Sequence, residues 1–144
     1  MYNKIISEEL VMYRKTQHSV YSITLHLILV IKYRRNVIDD MISNRIKEIF
    51  ELIGTSHDVE ILEWNHDKDH IHTILSISPS TNLNKYINAA KAASSRLIKK
   101  EFPSIKVKLW KDTFWTRGFY IRSTGSIQID VVKNYILKQG EKEC

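Results

Sequence analysis

From Val20 to Lys32 the chain alternates. Tyr21, Ile23, Leu25, Leu27, Leu29 and Ile31 fall on one face, and Ser22, Thr24 and His26 on the other. Successive side chains of a strand point to opposite faces, so this pattern predicts a long first strand with one wholly apolar face. Ile42, Ile46, Ile49, Phe50 and Ile53 then recur at helical spacing. They predict an amphipathic helix over 40–54, started by Asp39 and Asp40 and ended near Gly54. Val59–Asn65 and His70–Ser78 predict two further strands, and Asp67-Lys68-Asp69 between them a hairpin turn.

Pro79, Ser80, Thr81 and Asn82 punctuate the chain before a second helix. Leu83, Tyr86, Ile87, Ala90, Ala93 and Leu97 give that helix its apolar stripe, and Pro103 follows its end. Residues 105–124 are rich in β-formers and aromatics and predict a fourth strand with an irregular approach. Asp130 caps a last short helix, Val131–Gln139, stopped by Gly140. Residues 1–17 show no clear period and are expected to form a short arm or helix. The order β-α-β-β-α-β predicts an α+β fold of the ferredoxin-like, split βαβ kind. Its antiparallel sheet would carry two helices on one face, and the other face would be free to hold a site.

Composition narrows the partners and the compartment. A chain of 144 residues with four glycines and two prolines leaves little room for a linker, so one domain over 1–144 is expected. A formal charge of +6 favours an anionic partner such as nucleic acid, although many soluble enzymes share it. The single cysteine, Cys144, excludes a disulfide within the chain and fits a reducing cytoplasm. The longest apolar run, Ile23–Ile31, contains His26 and is about half of what a membrane span needs. Residues near the start include Glu8 and Glu9 and show no signal-peptide pattern. A soluble, cytoplasmic protein is expected.

Chemistry concentrates at Asp69-His70-Ile71-His72-Thr73. Residues two apart on a strand point the same way, roughly 6–7 Å apart, so His70 and His72 can converge on one ion. The competing reading is a pair of half-exposed strand histidines with no ligand. Tyr135 and Gln139 stand one turn apart on the last helix. They can serve as a nucleophile and an oxygen ligand, or belong with Val132 and Ile136 to an ordinary packing stripe. Lys32, Arg34 and Arg35, with Lys91 and Arg96 on the second helix, are candidate phosphate contacts or simply solvated surface. The aromatics of 110–120, interleaved with Lys111 and Arg117, can stack unpaired bases or pack in the core.

In combination these segments resemble the IS200/IS605-type transposases, members of the HUH superfamily with a single catalytic tyrosine. The resemblance rests on His26 followed by an apolar run and Lys32-Tyr33-Arg34-Arg35, on Asp67-Lys68-Asp69-His70-Ile71-His72, and on Lys91-Ala92-Ala93-Ser94-Ser95-Arg96. Leu109-Trp110 and Val131-Val132-Lys133-Asn134-Tyr135-Ile136-Leu137-Lys138-Gln139 complete it. It runs in order from about His18 to Gly140, and departs from the family at Ser123–Ile127, where a glycine pair is common.

The resemblance implies a transposase that cleaves and rejoins single-stranded DNA at insertion-element ends through a 5′-phosphotyrosine on Tyr135. It implies one divalent ion, Mg²⁺ or Mn²⁺, on His70, His72 and Gln139. His26, on the less apolar face of its strand, is a candidate active-site neighbour or a hydrogen-bonded structural histidine. Hairpin-bearing single strands and a second copy of the chain, as a homodimer, are the implied partners. A domesticated repeat-associated transposase or another HUH nickase would share this chemistry. A non-catalytic binding module of ferredoxin-like shape would not depend on Tyr135. A histidine-triad nucleotide hydrolase fails, because the next position in the alternation is Ile74.

Overall fold

The computed structural model describes residues 2–6, 11–15 and 19–124. The expected helix over 130–140, with Tyr135 and Gln139, lies outside the described residues. Strands β1 (Tyr2–Ile6), β2 (Val11–Lys15) and β3 (Val20–Tyr21) make a small antiparallel sheet in that order. The main sheet comprises β4 (Ile23–Val30), β5 (Val59–His66), β6 (His70–Ile77) and β7 (Tyr120–Ser123), in the order β5-β6-β4-β7. Helix α1 (Asp40–His57) connects β4 to β5, and α2 (Leu83–Glu101) follows β6. All pairings are antiparallel, so β6 lies between the two strands that α1 joins. This is the ferredoxin-like, split βαβ arrangement that the hydrophobic pattern predicts.

Its core lies between the sheet and the helices. Leu27, Leu29, Ile71, Thr73 and Leu75 are fully buried on the sheet's inner face, against Ile46 and Phe50 of α1 and Tyr86, Ile87 and Ile98 of α2. Their neighbours His26, Ile28, Val30, His70, His72 and Ile74 are only half-buried, as period-two alternation requires of the opposite face.

Several boundaries differ from the sequence expectation, each for a local reason. The first 17 residues contain strands β1 and β2 rather than a short arm or helix. Their period is hidden because the β1–β2 register slips between Lys4 and Ile6. The long first strand is interrupted at Ser22, and its two parts enter different sheets. Helix α1 passes through Gly54 and ends at Asp58, whose left-handed backbone (φ 57°) makes the C-cap. Gly54 serves a close approach, since a Cβ there would stand 2.5 Å from the Val59 carbonyl oxygen. At the helix start, the Asp39 carboxylate accepts from the Ile42 amide at 2.8 Å.

Candidate metal and nucleic-acid site

His70 and His72 sit on β6, whose register places His70 opposite Val30 and His72 opposite Ile28 of β4. Both imidazoles occupy the sheet face that the helices leave open, together with His26 of β4, which pairs with Ile74 on one side and Arg122 of β7 on the other. The predicted separation of histidine side from core side is therefore present: Ile71, Thr73, Leu75 and Ile77 are buried.

His70 is held from behind. Its Nδ1 lies 2.8 Å from Asp69 Oδ1, and the other oxygen of that carboxylate accepts from Arg34 Nε at 2.9 Å. A carboxylate can only accept, so Nδ1 carries the proton and the lone pair of Nε2 is left for an ion. The hydrogen bond from His70 holds the Asp69 carboxyl below the usual aspartate range; partial burial opposes this, and Arg34 reinforces it. Asp69 is thus a functional candidate that the histidine motif contains without announcing its role. The signal was its position next to His70, together with the common pairing of ligand imidazoles with carboxylates.

His72 meets His26. Their rings lie nearly parallel, with centroids 5.0 Å apart, and His26 Nδ1 is 2.8 Å from His72 Nε2. Burial, then the neighbouring His72 and Arg122, lower the pKa of His26, so its neutral form is favoured; Glu63 opposes the shift. One ring nitrogen donates and the other accepts across this contact, in the sense that the tautomers set.

The basic residues separate into two groups. Lys32, Arg34 and Arg35 lie on a 3₁₀ turn (Lys32–Arg34) and its end, directly after β4, with both arginines exposed. Arg96 is exposed on α2 and lines a cleft of about 370 Å³ with Lys99, Lys100, Lys106 and Asp112. Lys91 is engaged differently. Its ammonium donates to the carbonyls of Thr116 and Gly118, both at 2.9 Å, and burial lowers its pKa. Ser94, one turn along α2, accepts from the buried indole of Trp115 at 2.9 Å. The Lys91–Ser94 pair thus clasps the segment that leads into β7.

Two imidazoles on one face, one already oriented by a carboxylate, suit a divalent ion. Among the described residues no group of three or more His, Cys, Asp or Glu side chains is placed to hold a metal.

Comparison with known proteins points the same way. The family model described as "Transposase IS200 like" matches residues 19–139. The chain is 28% identical over 130 residues to the ISDra2 transposase TnpA of Deinococcus radiodurans, covering 90% of this chain and 93% of that one. It is 27% identical over 126 residues to the transposase for insertion sequence element IS200 of Salmonella typhimurium, covering 88% and 82%. A crystal structure from D. radiodurans R1, assigned as a transposase, superposes with a TM-score of 0.70 at 26% identity, over 90% of this chain and 99% of that one. A REP-associated tyrosine transposase bound to a REP hairpin shares the fold, with a TM-score of 0.56 at 15% identity over 88% and 75%. With the histidine face, the ferredoxin-like sheet and a family match over most of its length, the chain belongs to the IS200-like transposases.

Proposed function

We propose that this transposase cleaves and rejoins single-stranded DNA at the ends of an insertion element, using Tyr135 as nucleophile and a divalent ion on His70, His72 and Gln139. The observation that carries this is the pair His70 and His72 on the open sheet face, with Asp69 fixing the His70 proton on Nδ1. The ion, Mn²⁺ or Mg²⁺, supplies Lewis-acid polarisation of the scissile phosphate.

The remaining work falls to the chain. The Tyr135 oxygen attacks phosphorus, the bond to the 3′ oxygen breaks, and that oxygen leaves as a hydroxyl after taking a proton. A 5′-phosphotyrosine remains, and attack by a different 3′-hydroxyl reverses the step and joins new ends. One phosphodiester is exchanged for another, so no nucleotide cofactor is needed. Free tyrosine has a pKa of about 10, so Tyr135 needs a positive field or a nearby base to lose its proton. The neutral His26, in contact with His72, is suited to that task. Arg35 and Arg96 contact phosphates, whereas Lys91 supports the fold. Two ends must be cut with one tyrosine per chain, which calls for a homodimer. Binding of a hairpin by the REP-associated relative supports a hairpin-bearing single strand as substrate.

The test is a hairpin-bearing single strand incubated with protein and Mn²⁺. Wild type should give a denaturant-resistant DNA adduct, and Tyr135→Phe none; an undiminished adduct in that variant would sink the assignment of the nucleophile. His70→Ala should abolish cleavage and keep most of the DNA binding. Equal cutting of duplex DNA would contradict the single-strand specificity.

A further inference from the structure

Beyond the histidine face, the turn that follows β4 carries an exposed aromatic group in an uncommon backbone state. Tyr33 has φ 57° and ψ 25°, and Arg34 has φ 54°. The turn that carries Trp110 continues into Lys111 (φ 47°) and Asp112 (φ 59°). Two turns, each with two consecutive non-glycine residues in the left-handed region, therefore meet through their aromatic rings. Such backbones are uncommon for side-chain-bearing residues and cluster at functional sites. The fifth non-glycine residue of positive φ among those described, Asp58, is already explained as a helix cap.

The two rings meet edge-to-face, with centroids 4.9 Å apart and planes at 89°. Unlike the neighbouring pair Phe114–Trp115, at 1% and 6% exposure, this one is not core: Tyr33 is 60% exposed. Cations surround it. Lys32 Nζ lies 5.1 Å from the Tyr33 centroid and 5.7 Å from that of Trp110, and Lys111 Nζ lies 4.7 Å from Trp110. The exposed Arg34 and Arg35 follow on the same turn.

An exposed aromatic face ringed by cations matches one ligand chemistry in particular, a flat unpaired base attached to phosphates. It lies next to the candidate metal face. Arg34 holds the Asp69 carboxylate that holds His70, and the Ile31 amide donates to the Asp69 carbonyl at 2.8 Å. We propose that the exposed Tyr33 ring, braced at right angles by Trp110 and flanked by Lys32 and Lys111, forms a stacking platform for one unpaired nucleobase of the single strand near the scissile phosphate. This inference rests on the single-strand reading given under Proposed function.

The test compares full-length protein, made non-cleaving by Tyr135→Phe, on two 12-nucleotide single strands: oligo-dT and a wholly abasic strand with the same number of phosphates. Affinity is read by fluorescence anisotropy, and base stacking by quenching of tryptophan emission. Adding Tyr33→Ala should weaken oligo-dT binding by about tenfold, as loss of one stacked base does. It should leave abasic binding and the salt dependence of binding unchanged. Tyr33→Phe should retain the affinity, and Tyr33→Leu, which keeps bulk without an aromatic face, should lose it. Equal losses on both strands, or unaltered oligo-dT binding by Tyr33→Ala, would overturn the platform. The adduct assay separates the two ideas. A normal adduct with an indifferent Tyr33 defeats the platform alone. No adduct, but a base-dependent loss at Tyr33, defeats the chemistry and supports the platform.

Discussion

Asp69 Oδ1 stands 2.8 Å from His70 Nδ1, one residue away along the chain, so the orientation of a candidate metal ligand is set by its own neighbour. Removing such a carboxylate from behind a ligand histidine typically costs ~10–100-fold in metal affinity. Asp69→Ala should weaken Mn²⁺ binding by that factor in calorimetry. Asp69→Asn, whose amide oxygen still accepts from Nδ1, should lose less. Because Ile31 is bonded to the Asp69 backbone carbonyl, thermal stability should change little in either variant. Unaltered Mn²⁺ affinity in Asp69→Ala would remove the carboxylate from the metal site.

Ser94 gives a prediction about stability. Its hydroxyl is the hydrogen-bond acceptor for Trp115 Nε1 in a fully buried position, and it donates in turn to the Lys91 carbonyl at 3.1 Å. Ser94→Ala leaves a buried indole N–H unpaired, at a cost of ~1–3 kcal/mol. Urea denaturation should show this as a lower midpoint with an unchanged slope. A variant as stable as wild type would mean that another acceptor reaches the indole.

The pH dependence of stability should include a share from Asp58. Burial of this carboxyl tends to raise its pKa, but hydrogen bonds from Ser78 and Arg14 outweigh it, and the net shift is downward. Arg14, 3% exposed on β2, also bonds the Asp58 carboxylate, so the ion pair ties the small sheet to the end of α1. A folded-state pKa below the unfolded one makes the carboxylate stabilising above the unfolded value, about 3.9. That contribution is lost as pH falls from there through the folded pKa. Thermal melts between about pH 5 and pH 2 should therefore decline less steeply for Asp58→Asn than for wild type. Identical slopes would show that the pair carries no pH-dependent stability.

The main sheet was legible because its signals are periodic. Leu27 and Leu29 announce β4, and His70 and His72 alternate with Ile71 and Thr73, so the two-sided character of β6 is written in its sequence. Irregular pairing hid the rest. The slip between Lys4 and Ile6 masked the first hairpin, and the β5 bulge between Ile61 and Glu63 breaks strict alternation. Lys91 read as a surface cation because nothing in the sequence places it beside the carbonyls of Thr116 and Gly118, more than 20 positions away. The facing of Tyr33 and Trp110 is equally non-local. Tyr135 and Gln139 lie outside the described residues, and their roles rest on the family pattern.

The strand order β5-β6-β4-β7 has a last consequence. His70 and His72 belong to β6 and His26 to β4, and these are the two interior strands, each paired on both sides. Edges and termini fray with little free energy, but interior strands generally release their amides only when the whole domain opens. The histidine face is therefore not a region that loosens ahead of the fold. Its amides should rank among the slowest to exchange with deuterium, so this part of the transposase is either fully assembled or absent.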